Sequence, residues 1–184
     1  ITELYHTGNY IDGEARFNFS HIHTHGLDNQ LVYFAEKYPA RSGISTHFIA
    51  GDDHEGWYQQ RNDINIGEHS EDIARRNGRT DLHYLSYMEA DVSLLGGLVK
   101  LRILHAGGGS GAAISLTSQR IVDSYHDREK PHILLVGHYH KSEYLPDYKG
   151  VHIIQTGTTQ EQTPFMRKKR LAAHLGGWIV KVTV

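Results

Sequence analysis

HILLVGHYH, residues 132–140, is the stretch on which the reading of this chain turns. Residues 133–136 form a short, continuously apolar run, the pattern of a buried parallel strand. Gly137 then lets the backbone turn. The two histidines that follow are two residues apart, so in an extended segment they lie on one side. That is ligand spacing, placed at the carboxyl end of a strand, where open α/β sheets put their sites. A lone His-x-His is usually incidental, so the reading depends on what else arrives at strand ends.

Two further segments arrive there. Residues 44–50 read as a strand by their β-branched and aromatic content and run into GDDHE, Gly51 to Glu55. Residues 99–104 read as a strand and run into HAGGG, His105 to Gly109. GDDHE brings carboxylates and an imidazole together, a donor set for a divalent cation that accepts mixed oxygen and nitrogen ligands. His105 is a third arrival, and its glycine run is either a flexible loop or a cradle of backbone amides for a phosphate.

Around these segments the chain alternates strand and helix patterns. An extended stretch at 2–6 is followed by a loop at 10–13. Leu31, Phe34 and Ala35 fall at helical spacing within 27–38, which Pro39 ends. A helix is expected at 71–76, and strands at 82–88, 91–95 and 99–104, with Gly96 and Gly97 turning the last pair. A helix over 114–125 would share Ile114, Leu116, Ile121 and Val122 on one face. Strands at 144–145, 151–155 and 178–184 would close the chain, with Trp178 in the core. The fold class is α/β, with sheets covered by helices, in a single domain, 1–184, without repeat or linker.

Composition narrows the chemistry. The chain has 184 residues, 15 His, 19 Lys+Arg, 21 Asp+Glu and no Cys, for a formal charge of −2. Without cysteine there is no thiolate metal site and no cysteine nucleophile, so a metal must be held by nitrogen and oxygen. The near-neutral charge argues against a generally basic nucleic-acid binder. No apolar run approaches the roughly 20 residues that span a bilayer, so no membrane partner is expected and the chain is placed in the cytoplasm.

In their order along the chain, GNYIDG (8–13), GDDHE, the strand-end His105 and GHYH resemble the calcineurin-like metallophosphoesterase family, whose motifs run DxH, GD, GNH plus an acidic residue, a lone His, and GHxH. The resemblance implies a four-layer α-β-β-α sandwich with two metal ions at the strand ends. It implies Asp53, His105 and His138 as ligands of one metal, His140 as a ligand of the other, and position 9 as the bridging ligand. It implies His54 as the catalytic histidine that contacts phosphate and protonates the leaving group. The metals would be Mn²⁺, or else Fe, Zn or Mg, and a metal-bound water or hydroxide would be the nucleophile.

Three departures accompany the match. DxH is absent, which places the family's first strand upstream of Ile1, so that the domain is expected to be N-terminally incomplete. Asn9 stands where the bridging aspartate is expected, and a carboxamide is a poorer bridge between dications than an anion. GNH has become Gly51-Asp52-Asp53-His54. One metal is therefore expected to bind well and the second weakly or not at all.

The function implied is a metal-dependent phosphoester hydrolase, a phosphodiesterase or nuclease; the alternative is a degenerate member acting as a binding or scaffold subunit. Arg167, Lys168, Lys169 and Arg170, with Arg75, Arg76 and Arg79, are the candidate nucleic-acid contacts. Trp57 and Tyr58 would stack on a base or cover the edge of the site, packing being the commoner role for both. HIHTH, His21 to His25, is a rival metal cluster or a solvated loop, and the loop is favoured.

Overall fold

The computed structural model describes residues 1–109 and 113–183 and divides the chain into two compact units, Ile1–Ala90 and Asp91–Val184. Both are mixed α/β, so the chain carries two sheets, each with its own helices.

In the first unit the strands β1 (Glu3–His6), β2 (Ser45–Ala50) and β3 (Leu82–Tyr87) form a parallel sheet in that order. Parallel neighbours need crossovers, and these carry α1 (Leu27–Lys37), α2 (Gly56–Asn62) and α3 (Ile66–Arg76). Leu31, Phe34 and Ala35 of α1 meet Phe48 and Ala50 of β2, Ile66, Ile73 and Ala74 of α3, and Leu82 of β3 in one core. The 3.6-residue period of the helices and the 2-residue period of the strands thus converge on one apolar layer. Arg79 closes the far end: its guanidinium donates to the carbonyls of Ala35 and Tyr38, each at 2.7 Å, and pairs with Asp81 at 2.8 Å.

In the second unit the sheet order is β4-β5-β6-β8-β7, built from β4 (Glu89–Leu94), β5 (Val99–His105), β6 (Ile133–Gly137), β7 (Ser142–Tyr148) and β8 (Val151–Thr156). β5, β6 and β8 run parallel, and β7 pairs antiparallel to β8. β6 is buried along its whole length, as its unbroken apolar run requires. Helix α4 (Ile114–Ser124) places Val122 against Leu134, Val136, Val151 and Ile153.

Several elements differ from the sequence reading. α3 begins at Ile66 rather than at residue 71, because the Asn65 side chain caps it by accepting from the Glu68 amide at 3.2 Å. α2 was not expected; it has no side-chain cap to announce it. The face of α4 is narrower than expected, with Ser118 and Val122 buried and Ile114 40% exposed. A short helix, α5 (Pro164–Lys169), forms where only a basic run was read, started by a Thr163 cap and Pro164 at its first turn.

No strand forms over 178–183, and Val184 lies outside the described residues. Trp178 is 44% exposed rather than in the core, and its indole N–H donates to the Gln155 carbonyl at 2.9 Å. Strand propensity is realised only beside a partner. Among the described residues, this segment has none.

Candidate functional site

In the first unit the candidate residues lie on the loops that leave β1 and β2. Glu55 is fully buried, and its Oε1 accepts the amides of Asn9 at 2.8 Å and Gly51 at 2.7 Å. One carboxylate oxygen therefore fastens the GNYIDG loop to the GDDHE loop, through charge-assisted bonds stronger than neutral ones. The Oδ1 of Asn9 is buried and has no hydrogen-bond partner among the described residues. A buried, unsatisfied acceptor is costly, and it fits a cation ligand. Asp53 sits two residues before Glu55, half-buried in the same turn.

His54 is fixed from three sides. Its Nδ1 donates to the Asp12 carbonyl at 2.7 Å, its ring stacks on Trp57 with centroids 4.9 Å apart and planes 20° apart, and Gly13 presses on its backbone. Because a carbonyl only accepts, Nδ1 carries a proton, and in the neutral ring Nε2 carries the lone pair. Trp57 takes the packing role. It packs against the histidine it follows, while Tyr58 is buried.

In the second unit the candidate residues lie at the ends of β5 and β6. His105 pairs in register with Gly137, and His105 is fully buried. Its ring meets that of His138 edge-on, 5.3 Å between centroids at 78°. His138 Nε2 donates to the Gly108 carbonyl at 2.9 Å, and the Tyr139 hydroxyl donates to the Gly107 carbonyl at 3.0 Å. The first of these bonds fixes the tautomer with the lone pair on Nδ1, the usual outer-shell device for a metal-binding imidazole. The Tyr139 phenol is pushed up by burial and stays protonated. The glycine loop thus turns carbonyls toward GHYH and serves it as a brace.

GHYH is not extended. His138 has φ 84° and His140 φ 53°, so the shared-side argument from a strand does not hold. The ladder ends at Gly137, and a left-handed turn swings His138 onto Gly108. Asn9 and His54 are left-handed too, with φ 58° and 52°. Such conformations cost about 1–3 kcal/mol each and cluster where function holds them.

Of the other candidates, Arg79 is engaged with Asp81, and Arg75 pairs with Glu71 at 3.2 Å and Asp72 at 2.9 Å, which takes both out of a free basic patch. His21, His23 and His25 lie exposed in a loop, with His25 near Glu14 at 3.3 Å. Sequence reasoning missed Asp12, whose contribution is a main-chain carbonyl, and Gly13. It could have found Glu55 from the acidic residue that closes GDDHE.

No helix among the described residues is long and apolar enough to cross a membrane. No protein-family model matches the chain, and no curated protein matches it. Among solved structures, a single mutant of Vps29 from Entamoeba histolytica aligns over 85% of this chain and 73% of its own, at 15% identity and a TM-score of 0.36. A likeness that slight carries no argument about function.

Proposed function

We propose that this chain is a metal-dependent phosphoester hydrolase that cleaves phosphodiesters. Asp53, His105 and His138 are the donor set for a divalent ion, Mn²⁺ by preference. One carboxylate and two imidazoles suit such an ion, and when bound it supplies Lewis acidity and a water of lowered pKa. His54, as the imidazolium, gives its Nε2 proton to the leaving oxygen and returns to the neutral ring that keeps Nδ1–H on the Asp12 carbonyl, and Asp12 and Trp57 hold the ring for that task. The observation that carries the reading is the bond from His54 Nδ1 to the Asp12 carbonyl. A histidine left over from a lost activity has no need of a fixed tautomer and a stacked ring.

Asn9 favours a second reading, a catalytically inert binding subunit, since a neutral amide bridges two cations poorly. Calorimetric titration with Mn²⁺ and hydrolysis of bis-p-nitrophenyl phosphate against p-nitrophenyl phosphate separate the two. One tight site is expected, with turnover of the diester. His54→Ala should retain the metal and lose about 10²–10⁴-fold in kcat. Metal binding without turnover of either substrate would leave the inert reading standing, and two tight sites would remove the one-metal assignment.

A further inference from the structure

Helix α5 is short, yet it is held firmly. Thr163 Oγ1 accepts the Met166 amide at 3.2 Å, Met166 is 5% exposed and anchors the turn, and Arg170 ends it in a left-handed conformation. That anchoring turns the other side outward: Arg167, Lys168, Lys169 and Arg170 are all exposed, and Phe165 beside them is 51% exposed. Among the described residues none of the four cations forms an ion pair, although Glu161 lies close by in sequence. Cations at a helix C-terminus gain from the dipole, but that gain needs one or two of them. It does not account for four in succession without a carboxylate.

The segment after α5 ties this run to GHYH. The His174 amide donates to the His140 carbonyl at 2.9 Å, and His174 Nδ1 accepts the Ser142 amide at 3.1 Å. His174 follows Arg170 by four positions, so the chain spans at most about 14 Å between them. The basic run is thereby pinned within a few nucleotides' reach of the loop that carries His138 and His140.

We infer that α5 is a docking arm for single-stranded nucleic acid, on which Arg167, Lys168, Lys169 and Arg170 neutralise backbone phosphates beside the GHYH loop. This rests on the proposed phosphodiester chemistry for its substrate class: a polymer of phosphodiesters rather than a small diester. Sequence-tolerant single-strand binders hold the polymer on a positively charged track that follows its backbone. A membrane surface fits less well, because α5 turns its apolar Met166 into the protein.

The test is fluorescence anisotropy with a labelled oligothymidylate across a KCl series. Wild type should bind with a log–log salt slope of about −3, the value for four neutralised phosphates on a single strand. Replacing all four residues by alanine should weaken binding by about tenfold or more at low salt and flatten that slope, while hydrolysis of bis-p-nitrophenyl phosphate stays unchanged. Equal oligothymidylate affinity in wild type and the fourfold variant would overturn the inference, as would binding of phosphatidylserine vesicles in preference to the oligomer. Either result would leave the small-diester assay, and with it the proposed function, untouched. Loss of small-diester turnover in wild type would instead sink the hydrolase reading and leave the binding comparison readable.

Discussion

At the scale of single residues, His54 and Gly13 constrain each other closely. Gly13 has φ +64°, and a Cβ built there would lie 2.3 Å from the His54 carbonyl oxygen. Both the backbone conformation and the space require glycine. Gly13→Ala should therefore cost about 2 kcal/mol or more in urea denaturation, and turnover should fall further than stability does, since His54 moves with the strain. Unchanged turnover in a folded Gly13→Ala protein would show that the placement of His54 is not set there. Glu55 carries a comparable constraint, because its one oxygen serves two amides from different loops. Glu55→Gln, which keeps the shape and removes the charge, should cost about 1.5–3 kcal/mol, read from the same unfolding curves.

Among the elements, α3 shows how packing overrides local propensity. Glycine inside a helix usually loses roughly 1 kcal/mol against alanine. At Gly67, however, a Cβ would lie 1.9 Å from the Tyr84 ring, which packs on the core. Gly67→Ala should thus destabilise by about 1–3 kcal/mol, the cost of overpacking, and Tyr84→Leu in the same chain should recover most of it. Stabilisation by Gly67→Ala alone would refute the close packing. The junction of α1 with β3 has a pH signature. The Arg79 guanidinium beside Asp81 holds its carboxyl below the usual carboxylate value. A lowered folded-state pKa contributes stability that is complete above the unfolded value, about 3.9, and is lost as pH falls through the depressed one. Wild type should exceed Asp81→Asn by a constant margin at neutral pH, and urea midpoints should converge as pH drops below about 4. A margin that persists to the acid limit would count against the pairing.

For the molecule as a whole, ligand binding reports on the donor set without any assay of activity. A ligand that binds only the native state at a hundred times its Kd adds about 2.7 kcal/mol. For a chain of this size that corresponds to a rise of roughly 5–10 °C in Tm. Mn²⁺ should produce such a rise, a chelator should reverse it, and His105→Ala should abolish it. A Tm unmoved by Mn²⁺ in wild type would remove the metal from the proposal.

The sequence by itself determined where the strands end and which chemical groups stand there. Apolar runs closed by glycine need only local information, so β2, β5 and β6, and with them GDDHE, His105 and GHYH, were legible, as were the buried positions of α1. The tertiary structure decided which atoms those groups present. His54 takes its tautomer from Asp12, 42 residues away, Asn9 is fastened by Glu55 across 46, and His138 turns onto Gly108 across 30. It also denied a strand to 178–183 and made α5 from a basic run. The physical reason is the same in each case. Hydrogen bonds and strand ladders need a partner brought from elsewhere in the chain, and a pattern of residue types along one stretch does not contain it.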